Sequence, residues 1–336
     1  MTYQITVHPN GPTFEAEANE TLLDAALRQR LLLPYGCKSG ACGACRGQIL
    51  QGKIDPGPYQ SFALSEADLA AGGALLCCAR AQSDLTIEHP GIIDVFPPKI
   101  IPTRVERMTL RAPDVMEIAL RLPAGETFPF YAGQFVDFLL PNGQRRSYSI
   151  ANAPEQEGML ELHIRKVPGG QFTTQVFTTM KVKDILRLEG PLGSFFLRES
   201  DKPAILLASG TGFAPIKAII EHALAQGLTR SFHLYWGCRT AADLYHDLPQ
   251  RWAETHPWFR YTPVLSAPDA DWTGRTGLVH QAVLQDFPDL SGHQIYACGN
   301  PDMVNAARAD FVAQGGLRKK EFFADAFTFQ TANPNP

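Results

Sequence analysis

Three cysteines, Cys37, Cys42 and Cys45, fall inside nine residues of a 336-residue chain, and a fourth, Cys77, follows 32 positions later in Leu75-Leu76-Cys77-Cys78-Ala79-Arg80. Thiolates at C-x4-C-x2-C spacing with a distant fourth partner can hold a plant-type [2Fe–2S] cluster. Gly36, Gly40 and Gly43 interleave them. Glycine gives a tight loop the unusual dihedrals and the close amide approach that a cluster needs. Two other readings stand beside this one. Four cysteines also bind zinc, although structural zinc sites usually pair their ligands as two short knuckles. Buried cysteines also pack as plain core residues. Cys78 reads as a bystander, since four ligands fill the cluster, but spacing alone does not choose between Cys77 and Cys78.

Four further stretches carry chemistry. Arg145-Arg146-Ser147-Tyr148-Ser149 alternates cation, ring and hydroxyl along a strand, so Arg146 and Tyr148 face one way. A guanidinium can neutralise a pyrophosphate and a ring can stack on a flat cofactor. Ordinary strand decoration gives the same pattern. Pro168-Gly169-Gly170-Gln171-Phe172-Thr173 sets paired glycines and a hydroxyl at a helix start, which suits phosphate on backbone amides or simply a capped turn. Gly210-Thr211-Gly212-Phe213-Ala214-Pro215 lies between an apolar strand and a helix, where nucleotide phosphates bind. Pro215 stands where the dinucleotide fingerprint has its third glycine. Cys298-Gly299-Asn300-Pro301 is a second strand-end turn, expected at the same sheet edge. Arg239 can meet an adenosine ribose or phosphate. Asp243 can accept a sugar hydroxyl or cap the next helix.

The elements that must position these residues fall into three grammars. Residues 1 to about 90 read as a small α+β fold: a hairpin over 3–18, a helix from Thr21 preceded by Asn19 or Glu20, the cysteine loop, a strand from Gly47, a helix capped at Ser65 and a closing strand from Asp84. Pro97-Pro98 marks a linker. From Thr103 to Gly190 six short strands broken by turns suggest an all-β barrel or sandwich. From Pro203 onward strand and helix alternate, as in a doubly wound α/β domain. Helices are expected over 216–225, 244–254, 277–284 and 303–314.

Composition limits the functions. The net charge is −4, with sequence pI about 6.1, so no nucleic-acid polyanion is implied. The first segment holds six basic and nine acidic residues, a net −3. That is either an ordinary solvated surface or a face that steers a redox partner. Seven cysteines, five of them among the first 80 residues, do not form a disulfide framework. The N-terminus starts on an alternating strand, and no apolar run approaches the ~18 residues of a membrane span. A cytoplasmic, reducing location is the expectation.

Taken together the motifs resemble those of the NAD(P)H-dependent ferredoxin–flavin reductases, in which a plant-type ferredoxin precedes a ferredoxin-NADP reductase-like module. The resemblance covers essentially the whole chain and is strongest to the CDP-6-deoxy-Δ3,4-glucoseen reductases and to the reductase components of aromatic-ring and methane oxygenases. It implies a multidomain fold: a β-grasp α+β ferredoxin domain over 1–92, a linker over 93–100, an antiparallel β-barrel FAD domain over 101–199, and a doubly wound parallel-sheet NAD domain over 200–336 with a tail near the flavin. It implies Cys37, Cys42, Cys45 and Cys77 as cluster ligands. It places Arg146 on the FAD phosphates, Tyr148 against the isoalloxazine, and Gly169, Gly170 and Thr173 on the flavin nucleotide. Gly210, Thr211, Gly212, Pro215 and Arg239 become nucleotide contacts, with Gly299 in the second turn. Ser149 and Cys298 become the catalytic-position residues, Cys298 beside hydride transfer, and Phe327 the tail aromatic. Ser147 replaces a proline common in relatives, and its side chain points away from the cofactor face.

The function so implied is electron transfer from NADH (NADPH as the alternative) through FAD and the [2Fe–2S] cluster to a protein acceptor, a deoxysugar dehydrase first and an oxygenase component second. Reduction of free flavin or ferric compounds, and a non-catalytic electron carrier or metal-binding scaffold, are the rival classes. The acceptor is expected to dock near Lys38, Ser39 and Ala41, and the chain to act as a monomer.

Overall fold

The computed structural model describes residues 1–9, 11–61, 63–88 and 96–327. The chain forms two compact units: one holds the N-terminal segment to Val95 with Gly193–Phe195 and the tail from Ala324, the other Phe96–Leu192 and Phe196–Phe323.

In the first unit, β1 (Thr2–His8) and β2 (Thr13–Glu17) form the expected hairpin, with Ile5 opposite Phe14. Helix α1 (Leu22–Arg28) buries Leu22, Leu23, Ala25 and Ala26. Its cap is Thr21, whose hydroxyl accepts from the Asp24 amide at 3.1 Å. Glu20 instead accepts from the Glu17 amide at 2.8 Å and pairs with Arg28, so the cap is Thr21 itself, the residue after Glu20. After the cysteine loop come β3 (Arg46–Gln51), β4 (Ile54–Asp55), α2 (Glu66–Ala70), β5 (Gly73–Leu75), β6 (Arg80–Ala81) and β7 (Leu85–Glu88). Ser65 and Asp68 close a capping box on α2. The main sheet has the order β2-β1-β7-β3-β5, with β1 and β7 parallel at its centre. It grips α1 in the β-grasp manner.

The second unit begins with β8 (Lys99–Ala112), β9 (Val115–Arg121), β10 (Phe135–Leu139), β11 (Arg145–Ser149), β12 (Met159–Arg165), α3 (Gln171–Thr178) and β13 (Ile185–Leu192). All six expected strands form, in the antiparallel order β11-β10-β13-β8-β9-β12. An Ile150–Leu162 bridge joins the two edges and closes the barrel. Its core is apolar and alternating, with Val105, Ile118, Leu120, Val136, Phe138 and Leu188 inward.

The α/β part follows: β14 (Ala204–Ser209), a 3₁₀ turn (Gly210–Gly212), α4 (Phe213–Ala225), β15 (Phe232–Cys238), α5 (Leu248–Thr255), β16 (Phe259–Leu265), β17 (Arg275–Thr276), α6 (Val279–Asp286), β18 (Gln294–Gly299), α7 (Pro301–Ala313) and β19 (Phe322–Ala326). The order β17-β16-β15-β14-β18-β19 has parallel ladders from β17 to β18. The chain runs outward from β14 and returns on its other side as β18, so the switch point lies between these two strands. Helix α5 starts four residues later than the expected Leu244. A helix from Leu244 would bury Pro249 in its second turn, where the missing N–H and the ring break the ladder. Starting at Leu248 places Pro249 in the first turn.

Candidate functional site

The cysteine loop gathers its thiols as the spacing requires. The Cys45 and Cys77 sulfurs lie 3.1 Å apart. Amides already point at sulfur: Ser39 and Cys42 donate to Cys37 Sγ at 3.4 and 3.3 Å, and Cys37 and Ala44 donate to Cys42 Sγ at 3.4 and 3.5 Å. Cys42, Cys45, Cys77 and Cys78 are buried and Cys37 is half-buried. Gly40 has φ +71°, and a Cβ there would meet Cys78 Sγ at 2.9 Å and Pro58 O at 2.8 Å. The Cys42 thiol, and then the Ser39 amide, hold Cys37 well below the ordinary thiol range despite burial. The Cys45 and Cys78 thiols do the same for Cys77, while Cys42 and Cys45 move upward. Four clustered sulfurs, three of them buried, with amide donors on Cys37 and Cys42 and with Cys37 and Cys77 held low, fit a [2Fe–2S] group. Cys78 Sγ stands 3.6 Å from Cys77 Sγ. Lys38 and Ser39 face outward, with the Lys38 ammonium 4.9 Å above the Tyr35 ring. Tyr35 is pinned from both backbone groups by Ser194, whose hydroxyl accepts from Tyr35 N–H at 2.8 Å and donates to Tyr35 O at 3.1 Å. Asp325 is buried in the same unit, and burial with the nearby Cys37 raises its carboxyl to about 7.

On the barrel, β11 carries Arg146 and Tyr148 on one face, and Ser147 turns to the other, donating to Asp137 at 2.6 Å. The Tyr148 ring rests against Phe138 and Phe172, with centroids 5.7 and 5.6 Å away. Arg146 donates to Gln144 Oε1 at 2.9 Å and stays half-exposed at the rim. Phe172 is the second residue of α3, whose cap is Gly170, so the two flavin-like motifs converge. Gly169 has φ +74° with open space beyond it. This cradle, an open glycine turn at a helix start beside a ring and a guanidinium, fits the dinucleotide FAD. The Thr173 hydroxyl is spent within the turn, accepting from Val167 N–H at 3.1 Å. Ser149 is buried at the strand's end.

At the sheet's switch point the two strand-end turns interlock. A Cβ on Gly212 would strike Cys298 O and stand 2.9 Å from Gly299 Cα, and Gly299 itself has φ +126° against Ser209. The Ser209 hydroxyl accepts from Asn300 N–H at 2.8 Å. Trp236 Nε1 donates to Gly210 O at 3.0 Å and stacks on Phe213 at 4.2 Å. Thr211 is half-buried, Pro215 lies buried in the first turn of α4, Cys298 is fully buried, and Arg239 is exposed. Asp243 closes a capping box with Thr240, accepting from its N–H at 3.0 Å. The loop fits the phosphates of a nicotinamide nucleotide by the same helix-start logic. Phe327 is half-buried at the end of the described tail.

Two features escaped sequence reasoning. Arg165, at the end of β12, lays its guanidinium against the nucleotide loop, 3.6 Å from where a Gly210 Cβ would be. Its Nε and Nη2 are buried with no hydrogen-bond partner among the described residues, the nearest carboxylates being Asp114 at 3.4 Å and Asp243 at 4.0 Å. The second is a buried charge cluster. Glu117, Glu161 and His163 bring their ligand atoms within 4.8 Å of one another. The carboxylates are already neutralised by cations, however: Arg107 and Arg111 on Glu117 at 2.9 and 2.7 Å, and Lys217 on Glu161 at 2.9 Å. The cluster is therefore a salt-bridge network rather than a metal centre. Burial alone would raise the Glu161 carboxyl, but the His163 hydrogen bond and Lys217 bring it down to about 2.

Comparison with known proteins matches this division. The 2Fe-2S iron-sulfur cluster binding domain matches residues 5–82, the oxidoreductase FAD-binding domain 102–197 and the oxidoreductase NAD-binding domain 206–309. The CDP-6-deoxy-L-threo-D-glycero-4-hexulose-3-dehydrase reductase of Yersinia pestis is 42% identical over 330 residues, covering 97% of this chain and 99% of that one. Reductase component 2 of a Comamonas terephthalate 1,2-dioxygenase is 36% identical over 97% of this chain and 98% of its own. The crystal structure of the Amycolatopsis cytochrome P450 reductase GcoB superposes with TM-score 0.78 at 34% identity, covering 98% of this chain and 100% of that one. The chain belongs to the iron–sulfur flavoprotein reductases, NAD(P)H-dependent oxidoreductases that carry a [2Fe–2S] ferredoxin domain ahead of FAD- and NAD-binding domains.

Proposed function

We propose that this reductase serves a dehydrase acting on a nucleotide-linked deoxysugar, and that it works as a cytoplasmic monomer. The identity of 42% with the Yersinia dehydrase reductase, end to end, carries this reading. The likeness to oxygenase reductase components supports a second, in which the acceptor is an oxygenase. When bound, FAD supplies the exchange between two-electron and one-electron chemistry, and the cluster supplies the one-electron exit.

The chain's own residues hold and orient. In this reading the thiolates of Cys37, Cys42, Cys45 and Cys77 hold the cluster. The Tyr148 ring backs the isoalloxazine, Arg146 meets the flavin phosphates, and amides after Gly169 and Gly170 take a phosphate, with Thr173 stiffening their turn. Gly210, Thr211 and Gly212 offer backbone to the nicotinamide nucleotide. Pro215 fixes the helix start, and Gly299 lets the second turn close against it. The unsatisfied guanidinium of Arg165 is well placed to meet its diphosphate. Ser149 and Cys298, both buried near strand ends, would position or polarise the ring system from behind the reacting end, and Phe327 would close the tail. Arg239 is exposed, and no basic cluster of the kind a 2′-phosphate would need directly follows Trp236-Gly237. NADH is therefore the expected donor. The outward Lys38, with Ser39 and the half-buried Ala41, forms the docking face.

An anaerobic reconstitution tests the acceptor. The NADH-reduced holoprotein is mixed with a CDP-6-deoxy-hexulose 3-dehydrase or with an oxygenase component, and reoxidation of the cluster is followed by absorbance and EPR. Rapid reoxidation by the dehydrase supports the first reading. Reoxidation by the oxygenase component alone overturns it. Equal kcat/KM for NADH and NADPH would remove the nucleotide preference.

A further inference from the structure

Lys217 sits on α4, five residues after Gly212, and its side chain is only 5% exposed. A lysine so buried needs several acceptors. It has three: Ala151 O at 3.1 Å, Glu161 Oε1 at 2.9 Å and Glu221 Oε1 at 2.8 Å. Two of the three belong to the barrel. Ala151 lies two residues beyond Ser149, so the lysine reaches from the helix that begins at the nucleotide loop to the segment leaving the flavin strand.

The grip is reinforced on both sides. The Ala151 amide donates to Glu161 O at 2.7 Å, and the Glu161 amide donates to Asn152 Oδ1 at 2.7 Å. Lys217 therefore engages a segment and a strand that are already tied together. The next turns of α4 repeat the contact: Gln156 donates to Glu221 at 3.2 Å, and His222 and Gln226 both meet Glu155 at 2.7 Å. Below, His163 Nδ1 pairs with the Tyr245 hydroxyl at 2.9 Å, and Tyr245 packs edge-on against Trp236, which holds Gly210.

We infer that Lys217 is a positioning residue, fixing the register between the flavin strand and the nucleotide loop through Ala151 and Glu161. This rests on reading Arg146–Ser149 and Gly210–Gly212 as the flavin and nucleotide motifs. A buried ion pair contributes little net stability relative to apolar packing but fixes geometry tightly. Hydride transfer is sensitive to such geometry, since a displacement of about 1 Å costs on the order of 100-fold in rate. Lys217 touches neither cofactor motif directly, so its removal should leave both binding sites formed and misalign them.

The test compares holoprotein with Lys217→Met and Glu161→Gln. Anaerobic stopped-flow separates the rate constant of flavin reduction from the NADH dissociation constant, and hydrogen exchange reads the amides of 151–156 and of α4. The expected result is a rate constant lower by roughly tenfold or more in Lys217→Met and a smaller loss in Glu161→Gln. The dissociation constant should stay within about threefold, with faster exchange in both segments and no change in β11. Reduction within about twofold of the unaltered protein, or a dissociation constant that rises in step with the rate loss, overturns the inference. If Lys217→Met does not fold, the isosteric Glu161→Gln decides by the same criteria. Failure of the unaltered protein to bind FAD or NADH would instead overturn the motif assignment on which the inference rests.

Discussion

Cys77 and Cys78 are neighbours in sequence and both are buried, yet only Cys77 stands 3.1 Å from Cys45. Cys78 instead fills the gap left by Gly40, where a Cβ would meet its sulfur at 2.9 Å. Replacing Cys77 by serine should therefore abolish the cluster, with iron content and visible absorbance falling to background. Cys78→Ser should retain both. Iron loss in Cys78→Ser with retention in Cys77→Ser would reverse the ligand assignment. Spacing narrowed the ligands to this pair, and the proposed choice of Cys77 rests on which sulfur the turn after β5 directs toward Cys45. Arg165 and Lys217 were less legible still. Arg165 closes a strand of ordinary alternation, and Lys217 interrupts an apolar helix in the way a surface lysine would. Their partners lie up to 78 positions away, at Asp243 for Arg165, and 66 away, at Ala151 for Lys217.

At the scale of elements, the six barrel strands and the βα alternation were readable because period-two and apolar runs are local properties. The start of α5 was not, because one proline outweighed the helical period before it. The interlocked turns after β14 and β18 give a sharp expectation. Gly212→Ala would drive a methyl into Cys298 O, and the turns must part. NADH affinity should fall by at least about 30-fold, in keeping with a backbone clash of roughly 2 kcal/mol or more. Flavin and cluster spectra should be retained. A dissociation constant unchanged in a titration of the variant would show that the turns accommodate the methyl.

The joint between barrel and α4 carries a pH dependence. Glu161 titrates at about 2 when folded, below its ordinary 4.5, so its stabilisation is complete above pH 4.5 and is lost as pH falls toward 2. Burial, and then Arg111, hold the His246 imidazole down to about 4 from 6.5. Its contribution is therefore present above pH 6.5 and disappears as pH falls through 4. Both slopes have the same sign, and Glu161 alone accounts for about 3 kcal/mol. All four tryptophans, Trp236, Trp252, Trp258 and Trp272, lie in the second unit, so their emission reports that unit. The midpoint of urea unfolding by tryptophan emission should fall between pH 6.5 and 3, less steeply in Glu161→Gln. A flat profile would contradict these assignments.

At the scale of the whole molecule, compactness does not follow chain order. Gly193–Phe195 belong with the cysteine loop although they come from the end of the barrel segment. Ser194→Ala should therefore act on the first unit. It removes two buried hydrogen bonds to Tyr35, a cost of about 1–3 kcal/mol. Cluster absorbance should bleach several-fold faster in the presence of an iron chelator, while the tryptophan unfolding midpoint stays in place. An altered tryptophan midpoint with unaltered bleaching would assign Ser194 to the other unit.

This interleaving also has a consequence for synthesis. Chains emerge from the ribosome N-terminal end first, and domains generally fold as they emerge. The four thiols are made early, but Ser194 appears only after the barrel strands, and the buried Asp325 only in the last strand of the nucleotide sheet. The housing for iron is thus finished late, and the reduced thiols must persist through translation of the α/β sheet before their last support arrives. A gene fragment ending at position 92 encodes Cys37, Cys42, Cys45 and Cys77 and omits Ser194 and Asp325.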